Sequence, residues 1–166
     1  MWSTGEGSEE RPVLVIGAAG LDLKGYAAGA LRLGATNPGQ VRRSVGGVAR
    51  NIAENLARLG HPVFLISAVA DDETGRWVLE RTRSAGVNVE HVAVIPQGRT
   101  GTYLAVLDEQ GNLVVAVDDM SILEAITPRY LQTRRALFEQ AAMVVLDANL
   151  SPAALRMAVR LARRFG

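Results

Sequence analysis

The sequence predicts an α/β protein, with a mainly parallel sheet flanked by helices and a small antiparallel sheet projecting from one edge. Three observations carry this. Short apolar runs rich in Val, Ile and Leu alternate with segments of helical periodicity. The first two of those helical segments stop at a glycine, Gly60 and Gly86. One pair of β-rich runs flanks "DEQGN", which signals a hairpin rather than a crossover.

"PVLVIGAAG" (12–20) reads as a buried strand closed by a glycine loop. Residues 21–45 are irregular, with alternation at "QVRRSV" and a turn at Asn37-Pro38-Gly39, and predict two short strands. Gly47 to Leu59 reads as a helix with Val48, Ile52, Leu56 and Leu59 at helical spacing. "PVFLISAVA" (62–70) is a second buried strand, "DETGRWVLERTRSAG" (72–86) a second helix, and "VEHVAVIP" a further strand. Residues 100–118 form the hairpin. "TPRYLQTRRALFEQA" (127–141) reads as one helix with Thr127 as N-cap and Pro128 in its first turn. "AMVVLDAN" is the last strand, and Ser151 caps a closing helix.

The 166 residues suit one domain, and 48% hydrophobic with 21% charged residues reads as globular. Eighteen Lys and Arg against 17 Asp and Glu leave a formal charge of +1, which gives no general argument for nucleic acid. With no cysteine and with His61 and His91 far apart in sequence, a thiolate or zinc cluster is not expected. No apolar run reaches membrane-spanning length, so no membrane partner is expected. Residues 1–11 are polar and acidic without a signal-peptide core, and are expected to form a flexible tail on a cytoplasmic protein.

The stretch with most chemical content is "SVGGVARNIAENLARLG" (44–60). Gly46 and Gly47 let backbone approach a ligand, and the first helical turn points free N–H groups outward. Asn51 offers a donor and an acceptor, which suits hydroxyls better than phosphate. Asp22 lies just past the first strand, where open α/β sheets bind ligands, and a carboxylate there accepts two sugar hydroxyls. Read from the residues alone, the Gly-Gly unit serves equally as a tight strand–helix corner, and Asp22 as a solvated loop residue. A dinucleotide fold is disfavoured because the first strand ends in "GAAGLD" rather than G-x-G-x-x-G, and no G-K-[ST] of a P-loop occurs.

"GGVARNIAENLARLG" resembles the N-terminal signature of the PfkB, or ribokinase-like, carbohydrate kinases. In that family a GG-x-x-x-N unit and an aspartate after the first strand hold the sugar, and Asp22, Gly46, Gly47 and Asn51 match those positions. "IGAAGLDLKGY", "TNPGQV", "VDDM" and "ITPRYL" are similar, in the same order, to stretches of one branch, the pseudouridine kinases; with the signature, the resemblance covers about residues 12–155. It implies a ribokinase-like fold and transfer of the ATP γ-phosphoryl group to the 5′-hydroxyl of a nucleoside, with Mg²⁺. It also implies that residues about 21–45 and 100–118 form a lid over the sugar, through which two copies pair as a homodimer. Thr102, Tyr103, Asp119 and Asn149 are then candidates for contacts to base or hydroxyl, each also consistent with a structural role. A kinase for ribose or a fructose phosphate, and a non-catalytic nucleoside-binding or dimerisation module, are the competing readings.

Gly20 stands where many family members have Asn. The family's second signature, D-T-x-G-A-G-D, which supplies the anion hole and the general base, does not occur, and neither does its N-x-x-E stretch. The expectation is therefore an acceptor-binding N-terminal half with no catalytic residue of its own. One lost electrostatic donor costs about 2.7–4 kcal/mol in a transition state, so a chain lacking the base and the anion hole is expected to give no turnover alone.

Overall fold

A computed structural model describes residues 11–165. The expected N-terminal tail lies outside the described residues except for Arg11. That residue belongs to the fold, because its guanidinium donates to the carbonyls of Glu139, Gln140 and Ala141 at 3.1, 3.1 and 2.7 Å.

Two four-stranded sheets divide the chain. The central sheet contains β1 (Val13–Ile16), β4 (Val63–Ala70), β5 (Val92–Ile95) and β8 (Met143–Leu146), in the order β5-β4-β1-β8. All its pairings are parallel. Its strands alternate between two buried faces, as a doubly covered sheet requires. Leu14, Ile16, Ile66 and Ala68 face one core with Leu131, Phe138, Ala154, Ala158 and Leu161. Val15, Leu65 and Val69 face the other, with Ala49, Ala53 and Val78.

The first core is covered by a 3-10 helix (Ser121–Ala125), α3 (Pro128–Gln132), α4 (Arg135–Gln140) and α5 (Pro152–Phe165). The second is covered by α1 (Val48–Arg58) and α2 (Glu73–Ser84). Thr127 caps α3, accepting from the Tyr130 N–H at 3.1 Å, and Ser151 Oγ accepts from the Ala154 N–H at 3.2 Å. The single helix expected over 127–141 is instead two. The Thr133 hydroxyl donates to the Tyr130 carbonyl at 2.8 Å and the Arg134 guanidinium donates to the same oxygen at 3.3 Å, while the Arg134 N–H turns to the Leu131 carbonyl at 3.0 Å, which tightens the chain between α3 and α4.

The second sheet is built from the segments expected to project. Its strands are β2 (Gly20–Ala27), β3 (Gly39–Gly46), β6 (Thr102–Leu107) and β7 (Leu113–Asp119), in the order β3-β2-β6-β7. The hairpin lies outside the central sheet, as the alternation predicts. Its turn is closed by the Asp108 carboxylate, which accepts from the N–H groups of Gln110 and Asn112 at 2.9 and 2.8 Å, with Gly111 at φ 84. The strands in 21–45 are longer than expected, at eight residues each.

This sheet is mixed rather than antiparallel, because β2 and β6 pair in parallel. The reason is geometric. β1 and β5 run the same way in the central sheet, and each hands the chain upward from its carboxyl end, into β2 and β6 respectively.

Candidate functional site

The chain order places β4 and β5 on one side of β1 and β8 on the other. The carboxyl ends of β1 and β8 are therefore a topological switch point, where open α/β sheets leave a crevice. A cleft of about 340 Å³ opens there, lined by Ala18, Asp22, Gly47, Val48, Asn51, Tyr103, Asp118, Met120 and Asn149.

The floor comes from backbone packing. Gly47 begins α1 at φ 96 and ψ 130, a conformation that residues with a side chain rarely adopt. A Cβ there would run into the Ala18 carbonyl. That same carbonyl accepts from the Arg50 N–H at 3.0 Å, which locks the start of α1 onto the loop after β1. No side chain caps α1. Gly46 is needed for a different reason: a Cβ at this position would overlap the Asp22 carboxylate.

The walls come from strand register. Ser44, Asp22, Tyr103 and Asp118 are direct cross-strand partners and form one row across the second sheet. Since side chains alternate along a strand, this row shares a face, and the cleft lies under it. The Asp22 carboxylate has Lys24 Nζ at 3.9 Å.

Thr102 and Asp119 are partners in the adjacent row with Leu21, so they face away from the cleft. Thr102 Oγ1 donates to the Thr100 carbonyl at 3.1 Å. Asp119 accepts from the Ser121 N–H and hydroxyl at 3.1 and 2.6 Å, which hold its carboxyl below the ordinary range. Of the sequence candidates, the structure thus brings Asp22, Gly46, Gly47, Asn51, Tyr103 and Asn149 together, and leaves Thr102 and Asp119 out. Asp118 occupies the position expected of Asp119.

Two side chains that sequence reading did not single out orient the cleft amides. Asp147 is 6% exposed, just past β8. It accepts from the Ala18 N–H at 2.9 Å and from the Asn149 N–H and Nδ2 at 2.9 and 2.6 Å. Arg50 is 5% exposed and donates to Asn51 Oδ1 at 3.0 Å. The buried face of α1 follows the expected stripe only in part: Ile52 and Leu56 pack against the second core. Val48 and Leu59 are 53% and 74% exposed, while Ala49, Arg50 and Ala53 are buried. Close approach to the sheet favours small residues there. A buried arginine inside such a face leaves one usable signal, the Glu54 carboxylate a turn later.

The arrangement is an open α/β sheet whose switch point gathers polar side chains under a second, mixed sheet, as in folds that bind small polar ligands at the carboxyl ends of their strands. A family model described as pfkB family carbohydrate kinase matches residues 11–164, and the chain belongs to that family. It is 40% identical over 147 residues to a pseudouridine kinase of Escherichia coli, covering 89% of this chain and 47% of the relative. It is 33% identical to a guanosine-inosine kinase of Exiguobacterium acetylicum, over 92% of this chain and 50% of the relative. Among solved structures it is similar to a carbohydrate kinase from Agrobacterium tumefaciens, with TM-score 0.83 and 35% identity, over 93% of this chain and 50% of the other. The chain spans about half the length of the relatives it matches.

Proposed function

We propose that the cleft binds the ribose of pseudouridine or a related nucleoside, and that the intact protein transfers the ATP γ-phosphoryl group to its 5′-hydroxyl. The observation that supports this best is the convergence of Asp22, Asn51 and Asn149 on one cleft that also presents Tyr103, Val48 and Met120. Polar groups placed to bind hydroxyls, beside an aromatic and an apolar surface for a base, suit a nucleoside. The similarity to kinases acting on nucleosides supports the same class.

In this reading Asp22 accepts a hydrogen bond from one sugar hydroxyl, and Asn51 and Asn149 hold its neighbours. The second sheet covers the ribose, excludes water and fixes the acceptor hydroxyl for in-line attack. ATP with Mg²⁺ supplies the phosphoryl group and neutralises its charge. Among the described residues no group of three or more His, Cys, Asp or Glu is placed to hold a metal ion, so no residue is given that role. The reading includes pairing of two copies through the second sheet. Leu104, Val115 and Val117, on the face opposite Asp22, are 45%, 53% and 64% exposed and support it.

The test is a product assay with Mg²⁺-ATP on the intact protein, using pseudouridine, uridine, inosine, ribose and fructose 6-phosphate. The expected result is the highest kcat/KM with pseudouridine, 5′-phosphate as the product, and no turnover by the 166-residue chain alone. Preference for a free sugar would overturn the nucleoside assignment.

A further inference from the structure

We infer that Arg50 is a positioning residue for acceptor binding: from beneath α1 it fixes the Asn51 amide so that Nδ2 faces the cleft as a donor. The inference rests on the sugar or nucleoside reading of the cleft and adds the polarity of that contact.

A buried guanidinium is costly unless its donors are met. Those of Arg50 are met on three sides. Its Nη2 pairs with the Glu54 carboxylate, its Nε donates to Thr82 Oγ1 at 3.2 Å, and its Nη1 donates to Asn51 Oδ1 at 3.0 Å. Each partner is itself held. Arg58 pairs with Glu54 from the solvent side at 2.6 Å. Thr82 is 1% exposed and spends its hydroxyl proton on the Val78 carbonyl at 2.6 Å, which leaves a lone pair for Arg50. The guanidinium therefore cannot swing without breaking contacts to both α1 and α2.

A guanidinium donates and never accepts, so the Asn51 atom that meets it is the oxygen. The amide is thereby prevented from flipping. Its Nδ2 makes no hydrogen bond within the described residues, and Asn51 lines the cleft. Across the cleft, the Asp22 carboxylate serves as the acceptor. The cleft is then polar in a defined sense: the ligand donates a hydrogen bond to Asp22 and accepts one from Asn51. Two sugar hydroxyls meet both demands. A group that only donates does not meet the second.

A brace between α1 and α2 with no role in binding would explain the same contacts, and double-mutant cycles separate the two. Kd for pseudouridine is read by calorimetry, and KM and kcat by steady-state kinetics, on the intact protein. Arg50→Lys keeps a charge for Glu54 but cannot span three partners. Thr82→Val removes the anchor on α2 and leaves every cleft residue in place. The expected result is a Kd and KM raised about tenfold by Arg50→Lys and about threefold by Thr82→Val, with smaller changes in kcat. In an Asn51→Ala background both effects should shrink to within about 1.5-fold, since the residue they act through is gone. Wild-type affinity in Thr82→Val and Arg50→Lys, or equal losses with and without Asn51, would overturn the inference. Thr82→Val decides alone if Arg50→Lys does not fold. A wild-type protein that binds neither pseudouridine, uridine nor ribose would instead overturn the reading of the cleft.

Discussion

Asp22 and Gly46 depend on each other. The carboxylate occupies the space that a side chain at position 46 would need. Asp22→Ala and Gly46→Ala should therefore fail in the same way, one by removing the carboxylate and the other by displacing it. A charge-assisted hydrogen bond is worth about 1.5–3 kcal/mol, so each variant should lower kcat/KM by about tenfold or more, mainly through KM. Steady-state kinetics on the intact protein checks this, and a Gly46→Ala enzyme with wild-type KM would show that the carboxylate has room elsewhere. At this scale the sequence was most legible where the residues act locally. Gly46, Gly47 and Asn51 share one strand–helix junction, and their spacing is visible in the chain. Thr102 and Asp119 stand as candidates only while register is unknown, because a one-residue step on a strand turns a side chain to the other face. Arg50 is hard to single out because its one visible partner, Glu54 a turn later, makes the pair read as a solvated helix face until the buried Thr82 on another helix is known.

Elements carry their own pH sensitivity. His91 enters β5 packed on Phe64, with ring centroids 5.7 Å apart, and its carbonyl accepts from the Tyr130 hydroxyl at 3.0 Å. Burial, with the nearby Arg134 charge, holds its imidazole below the ordinary value, and Glu90 opposes this weakly. A depressed folded-state pKa means that the fold favours the neutral ring. The contribution is complete above the unfolded value of about 6.5 and is lost as pH falls through the lower folded value. Two carboxyls act further down. At Asp72 burial is outweighed by hydrogen bonds from Thr100 and Gly75, and at Glu54 burial is outweighed by Arg58 and Arg50. Both are lowered, so their contribution is present at neutral pH and is lost only in acid, below their ordinary values of 3.8 and 4.5. Urea midpoints at pH 7.5 and 5.5 should therefore differ in the wild type and nearly coincide in His91→Gln. An undiminished difference in that variant would place the sensitivity elsewhere. Element types were legible because helical periodicity, Thr127 and Ser151 caps and glycine stops are local signals. The break between α3 and α4 was not, since Thr133 and Arg134 bond to the Tyr130 carbonyl in a way that leaves the apolar pattern of Leu131, Leu137 and Phe138 continuous.

At the scale of the molecule, two sheets share one boundary, and the site is that boundary. Gly20 and Gly101 lie against each other where β2 and β6 begin, too close for a side chain on Gly20, and the Leu21 N–H donates to the Gly101 carbonyl at 2.8 Å. The Thr100 hydroxyl, held by Asp72 at 2.7 Å, accepts from the Ala70 N–H at 3.0 Å and ties this junction to β4. Alternation and the hairpin signal were enough to separate the sheets in the sequence. The parallel pairing of β2 with β6 was not readable, because it brings together strands about eighty residues apart and follows from the direction of β1 and β5. In the proposed reading this boundary is a sugar-binding cleft. That reading is tested most directly by titrating the isotopically labelled intact protein with pseudouridine and following backbone and side-chain amides by NMR. The signals of Ala18, Gly46, Gly47, Tyr103 and Asn149, with the Asn51 side-chain NH₂ pair, are expected to shift together along one binding curve. Shifts confined to another surface, such as the outer end of the second sheet around Tyr26 and Val41, or no shift at millimolar ligand, would contradict that reading.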